Sequence, residues 1–265
     1  MKDNEIKHKH ELDFWSGRVE AEKTLKQISG GAPYEKFYID DFGFTYEDYE
    51  GKRILDIGCG PRGSLEWADM AELRVGLDPL VNDYYKLGGG TIFHKMTYVN
   101  AYSEDMPFTD ELFDFVFTIN SLDHVDDLDE TISEIKRVLK VGGICGIIVD
   151  ANHAPRPAEP IFIELNLKDR FLDVFEILEE KALEDISPNG FRDNLDNPVY
   201  YDFDDETNRT AILFLKMRKI RPVNFVQDSE TFDELLKENI ELKNDIEQLK
   251  VQNKKLVDEL NELKG

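Results

Sequence analysis

The chain has 265 residues, 41% hydrophobic and 11% aromatic, which is enough for one α/β core with an appended element and too little for two independent catalytic domains. Its net charge is −24; residues 229 to 265 hold ten acids and six bases, so the rest of the chain carries −20 by itself. A surface that acidic repels phosphate backbones and anionic lipid heads, which argues against nucleic acid as substrate or partner.

In chain order, residues 6 to 29 place Ile6, Leu12, Trp15, Val19, Leu25 and Ile28 at helical spacing among charges and end at Gly30-Gly31-Ala32-Pro33, predicting one amphipathic helix with a stop. Tyr34 to Phe44 is rich in aromatics and is expected to pack over the domain instead of joining a sheet. From Lys52 short apolar runs alternate with helical stretches: Arg53 to Ile57, Leu73 to Leu77, Lys95 to Val99, Phe113 to Ile119 and Ile144 to Val149. Strands alternating with helices predict a parallel sheet with right-handed crossovers. Phe175 to Leu183 and Thr210 to Ile220 supply two more strands, with Pro188 to Glu206 as the loop between them. The acids of that loop, Asp202, Asp204, Asp205 and Glu206, read as a solvated turn.

The first strand runs into Asp56-Ile57-Gly58-Cys59-Gly60-Pro61-Arg62-Gly63-Ser64, after which Leu65 to Met70 resumes helical character. Glycines let a ligand lie against the backbone, and a following helix N-terminus offers free amide donors. Gly58, Gly60 and Gly63 also match the dinucleotide spacing G-x-G-x-x-G, with the acidic Asp78 twenty residues after Gly58. A nicotinamide dinucleotide is therefore one of two kinds of cofactor that compete for this motif.

Three features separate them. Asp56 stands two residues before the first glycine, where an oxidoreductase strand is usually apolar. Ser103-Glu104-Asp105-Met106-Pro107-Phe108 precedes Phe113-Asp114-Phe115-Val116. Asn120-Ser121-Leu122-Asp123-His124-Val125 is followed by a helical stretch from Glu134 to Leu139 and by Gly142-Gly143. In this order, over residues 50 to 150, the set resembles the class I, Rossmann-like S-adenosylmethionine-dependent methyltransferases. The resemblance implies a seven-stranded, mostly parallel α/β sheet with helices on both faces, here with N-terminal lid helices (1–49) and a catalytic domain at 50–222. It also implies that Asp56 helps hold the methionine ammonium group and that Gly58 and Gly60 line the methionine and ribose. Asp78 would then accept from the ribose hydroxyls, Ser103 and Glu104 would read adenine, and Asn120 would lie beside the sulfonium. Two departures stand out: Tyr102 occupies the place where the family often has Asp or Asn for the adenine amine, and the third glycine falls one place late. Trp15, with His10 and Arg18, is the expected lid.

Methyl transfer is an in-line displacement that needs positioning and a proton acceptor, and open α/β sheets bind ligands at the carboxyl ends of their strands. There the chain offers Asp123 and His124 after the fourth strand and Asp150, Asn152, His153 and Glu159 after the fifth. His153, Asp123 and His124 are the catalytic candidates. Asp123 with Asp150 is thin evidence for a metal, and none is expected.

Leu235, Leu242, Leu249, Leu256 and Leu263 recur every seven residues, with Phe232, Asn239, Ile246, Asn253 and Leu260 at the other core position. Leucine at one seam position and asparagine at the other predict a parallel homodimeric coiled coil over 232–263, after a linker from 223. Cys59 and Cys145 sit in apolar surroundings without metal-like spacing, which fits a reducing compartment, the cytoplasm. No apolar run reaches the roughly 18 residues of a membrane span, and no signal-peptide pattern follows the charged start. The expected function is methylation of a small-molecule or glycan acceptor, at a sugar hydroxyl or carboxylate. The alternatives are small-metabolite O- or N-methylation, a coiled-coil scaffold with a vestigial pocket, or a nicotinamide-dependent oxidoreductase.

Overall fold

A computed structural model describes residues 3–21, 34–87, 90–187, 191–205, 207 and 209–223, of which the side chains of 3–5, 19–21, 90 and 92 are not described. The predicted coiled coil at 232–263 and the dimer it implies lie outside these residues. The strands are β1 (Arg53–Ile57), β2 (Leu73–Leu77), β3 (Thr97–Val99), β4 (Phe113–Ile119), β5 (Leu139–Ala151), β6 (Phe175–Glu184) and β7 (Ala211–Lys219). They form one sheet in the order β3-β2-β1-β4-β5-β7-β6, in which β7 alone runs against its neighbours. The helices are α1 (Asp3–Ala21), α2 (Val81–Lys86), α3 (Leu128–Val138) and α4 (Phe191–Asp196).

Strands buried on both sides read as unbroken apolar runs, which is why β1, β2 and β4 lie where the sequence predicts them. One face packs Leu55, Val116 and Ile147 against Ile132 and Ile135 of α3 and against Phe171. The other packs Ile54, Phe117, Ile148 and Phe214 against Tyr38, Phe42 and Tyr49. The aromatic segment does lie over the sheet: Phe37–Asp41 forms one π-helical turn, and the Tyr49 hydroxyl donates to the Tyr38 carbonyl at 2.8 Å. Helix α3 starts on Asp127, whose carboxylate accepts from the amides of Asp129 and Glu130, and ends with Lys136 and Arg137 facing its negative pole.

Three local expectations are corrected. Leu65 to Met70 is not helical; residues 60–67 form successive turns. Partners remote in sequence hold it instead: Arg74 of β2 donates to the carbonyls of Leu65 and Glu66, and the Glu66 carboxylate accepts from the backbone amides of Lys95 and Met96 ahead of β3. Strand β5 begins at Leu139 instead of Ile144. Gly142, at φ +84°, and a register shift opposite Phe113 absorb the expected glycine turn into the strand as a bulge. The loop after β6 contains α4, closed by Arg192 pairing with Asp41 and Asp196. Within that loop the acids do form a solvated turn, with Asp202 and Asp205 accepting from the amides of Asp204 and Thr207. The helix predicted over 6–29 is seen as α1, and its remainder falls outside the described residues.

Candidate active site

The chain leaves β1 for β2 and β3 on one side and returns to β4 on the other, so the loops after β1 and β4 diverge and open a crevice. Gly58 lies at the bottom of it with φ +70°, and a Cβ there would stand 2.3 Å from the Ser121 Cβ. That closeness lets the Ser121 hydroxyl donate to the Ile57 carbonyl at 2.8 Å, joining the two loops. A cavity of about 580 Å³ opens above them, lined on its strand side by Gly58, Gly60, Asp78, Glu104, Asn120 and His124.

Helix α1 roofs this cavity. Lys7 donates to the His124 carbonyl at 2.9 Å and pairs with Asp126, and Trp15 donates from its indole nitrogen to Glu11 at 2.6 Å. The indole covers Gly60, where a Cβ would stand 2.9 Å from the ring. Farther along, the His8 ring faces Tyr102 at 5.9 Å. Arg62, within the glycine motif, stacks on Tyr34 with 5.6 Å to the ring centroid, and Arg18 also lines this end.

On the β2 side, Asp78 accepts from the amides of Gly60 (3.1 Å) and Leu80 (2.9 Å), so it holds the glycine loop while facing the cavity. Burial raises its pKa to about 6 against those hydrogen bonds. Asp56 lies behind the loop and not on the cavity wall; it is buried, its Oδ1 has no hydrogen-bond partner, and burial raises its pKa to about 7. Ser103 and Glu104 reach the cavity with polar groups already engaged. Glu104 accepts from the amides of Asp126 and Asp127, and the Ser103 hydroxyl pairs with Thr131.

The three catalytic candidates come together at the carboxyl ends of β4 and β5. Asp123 is 1% exposed, and neither carboxylate oxygen has a hydrogen-bond partner. Its Oδ1 is 3.8 Å from His124 Nε2, and its Oδ2 is 3.5 Å from His153 Nε2. His124 lines the cavity with its Nδ1 3.6 Å from Glu11, and Glu159 lines it from the β5 side. His153 is buried behind them, donating from Nδ1 to the Ala154 carbonyl (3.0 Å), and the Asp123 carboxylate raises its pKa to about 9. Asp150, also largely buried, is raised to about 7 by burial and then by the charges of Asp123, Asp185 and Glu159. Of the residues expected from sequence, Gly58, Gly60, Asp78, Ser103, Glu104, Asn120, His124 and Trp15 line one cavity, while Asp56, Asp123 and His153 back it. Reading the sequence missed Arg62, although it lies inside the motif, and Tyr84, whose hydroxyl stands 3.4 Å from Asp78. It also missed Phe191 and Arg192, for which no local signal exists because α4 brings them in from far along the chain.

A family model described as a methyltransferase domain matches residues 55–147. YrhH of Bacillus subtilis, named for a methyltransferase, is 28% identical over 183 residues, which are 64% of this chain and 91% of that protein. The sterol 24-C-methyltransferase erg6 of Aspergillus fumigatus is 35% identical over 107 residues; these are 37% of this chain, and the match spans only 28% of the fungal protein. Among solved structures, an S-adenosylmethionine-dependent methyltransferase from Mesorhizobium loti aligns over 71% of this chain and 99% of its own, with a TM-score of 0.51 and 18% identity, a likeness of fold.

The raised carboxyls of Asp56, Asp78 and Asp150 set a pH dependence. A carboxyl whose folded pKa lies above its unfolded value of 3.8 binds its proton more tightly in the native state, so stability falls as pH rises from about 4 through about 7. The melting temperature of the ligand-free protein is therefore expected to fall between pH 5 and pH 7.5, and Asp56→Asn to reduce that fall. Equal slopes in differential scanning fluorimetry would show that Asp56 is not proton-linked to folding.

Proposed function

We propose that the chain, whose residues 55–147 match a methyltransferase domain, is a class I, Rossmann-like S-adenosylmethionine-dependent methyltransferase and that it methylates an oxygen of a small-molecule or glycan acceptor held under α1. The observation that carries this reading is the single cavity in which Asp78 and the glycine loop face His124 and Glu159 across Asn120. The residues suit the cofactor. Asp56 is a buried carboxylate with an unpartnered oxygen close behind the glycine loop, and Gly60 leaves a slot that a Cβ would fill. When bound, S-adenosylmethionine supplies an electrophilic methyl group on a sulfonium.

Asp78 would hold the ribose hydroxyls, and Asp56, from behind the glycine loop, would supply a counter-charge to the ammonium end. Arg62 and Arg18 offer the methionine carboxylate its cations. Ser103 and Glu104 fix the adenine-side loop, with Tyr102 and His8 facing each other nearby. Trp15 and the rest of α1 exclude water and hold the acceptor against Asn120, where near-attack positioning supplies much of the rate. Of the three candidates for handling the acceptor's proton, His124 alone lines the cavity and so meets the acceptor oxygen, while Asp123 and His153 hold it from behind.

A cavity of about 580 Å³ suits a sugar-sized ring or the end of a glycan beside the cofactor. Glu159 and His124 at its acceptor end can accept a proton or hydrogen bond from a hydroxyl, which suits oxygen better than carbon. Buried free cysteines at 59 and 145 fit a cytoplasmic enzyme, and no described helix is long and apolar enough to cross a membrane. The heptads at 232–263 make it a parallel homodimer.

Asp78→Ala should weaken cofactor binding by roughly 2 to 4 kcal/mol by removing charge-assisted hydrogen bonds. Unchanged affinity in calorimetry would overturn the assignment of the pocket. His124→Ala should lower kcat strongly with cofactor affinity intact, whereas a larger loss in His153→Ala would transfer the acceptor contact to His153. Deleting residues 229–265 should leave a folded monomer that binds the cofactor; a truncated protein still dimeric by light scattering would place the interface elsewhere.

A further inference from the structure

We infer that Asp123, His124 and Glu159 form a binding site for a divalent cation of the manganese to zinc type, open toward the acceptor end of the cavity. One ligand atom from each of these side chains lies within 4.8 Å of the others, and the three come from the loops after β4 and β5. Two carboxylates and an imidazole give the site a charge of −2 without an ion. That donor set suits manganese, iron, cobalt and zinc better than calcium or magnesium, which prefer an all-oxygen shell.

Asp123 is the observation that separates this cluster from the many acids on the surface. Its carboxylate is 1% exposed, and both oxygens lack a hydrogen-bond partner. Burying a carboxylate in that state is costly unless a cation or donors compensate it. His153 stands beside Oδ2 at 3.5 Å, which leaves Oδ1, the oxygen turned toward His124, with no donor.

The groups around the ligands are arranged as the outer partners of a metal site would be. Metal-bound imidazoles usually pass their other ring N–H to a carboxylate, and metal-bound carboxylates are themselves held by a donor. His124 turns Nε2 toward Asp123 Oδ1 and Nδ1 toward Glu11, 3.6 Å away on α1. Asp123 turns its second oxygen toward His153, and Arg156 lies 3.2 Å from Glu159. Ligand atoms about 2.1 Å from one ion stand roughly 3.0 to 3.4 Å apart, so these side chains, whose atoms lie within 4.8 Å of one another, close by roughly an ångström when the ion binds. Because His124 and Glu159 line the cavity, the remaining coordination positions face the space assigned to the acceptor. The inference deepens the proposed methyl transfer: His124 then meets the acceptor's oxygen atoms through the ion.

The test uses full-length protein stripped with a chelator and titrated with Mn²⁺ under electron paramagnetic resonance. One tight site per chain is expected, with a ¹⁴N coupling from an imidazole. Glu159→Gln, partly exposed and isosteric, should weaken that site at least tenfold while cofactor binding by calorimetry stays intact. His124→Ala should abolish the nitrogen coupling, and Glu11→Gln should weaken binding roughly 10- to 100-fold, the usual cost of losing an outer partner. Only weak, nitrogen-free binding, as expected of a chain with a net charge of −24, would overturn the site, as would affinity unchanged in both Glu159→Gln and His124→Ala. Ion binding is read without turnover, so a negative result leaves the methyl-transfer reading standing. A protein that binds Mn²⁺ as described but not the cofactor would overturn that reading instead.

Discussion

The close approach of Gly58 to Ser121 is the constraint on which the rest of the molecule depends. At the point where the sheet changes direction, two loops must diverge enough to admit a ligand and yet remain tied at their base. The missing Cβ at Gly58 makes room for Ser121, whose hydroxyl joins both the Ile57 carbonyl at 2.8 Å and Thr118 at 2.8 Å. With that tie in place, β1 presents its glycines and β4 presents Asn120 to one volume. Asn120 can adopt φ +52° there because its amide is held by the Ile148 carbonyl of β5.

The charge of the chain acquires a direction from this arrangement. A net −24 is a poor attribute for gripping phosphate backbones, but it favours arrival of a cationic cofactor. Asp56 and Asp78 carry that preference into the interior at the points where burial makes a carboxylate most in need of a counter-charge. Of the cations that reach the cavity, Arg18 and Arg62 lie near Tyr34, while Lys7 is held beside His124 by Asp126.

Much of this was legible in the sequence, and the reasons for the exceptions are physical. Strands such as β4 are covered on both faces, which leaves an apolar run with sharp ends, and Phe113 to Ile119 was readable to the residue. The stretch after the glycine motif looked helical because Leu65 and Ala68 have the right spacing. What decided its shape were partners remote in sequence, Arg74 and the amides of Lys95 and Met96, which no local pattern reveals. The site divides in the same way. Residues at strand ends were found because topology fixes where strand ends go. Whether a side chain faces the cavity or stands behind it depends on how the loops after β4 and β5 pack, and this is why His153, the better base on sequence alone, is buried while His124 lines the cavity.

The roof has a separate consequence. Helix α1 belongs to no strand of the sheet, and it reaches the loops beneath through a few side chains, chiefly Lys7, Glu11 and Trp15. The wall proposed for the cofactor, by contrast, is carried by the ends of β1, β2 and β4. On the proposed reading, the enclosure of the acceptor thus rests largely on one short helix. Exchanging that helix would change what closes the cavity and would remove Trp15 and Arg18 with it, while Gly58, Gly60, Asp78 and Asn120 stay where the strand ends hold them.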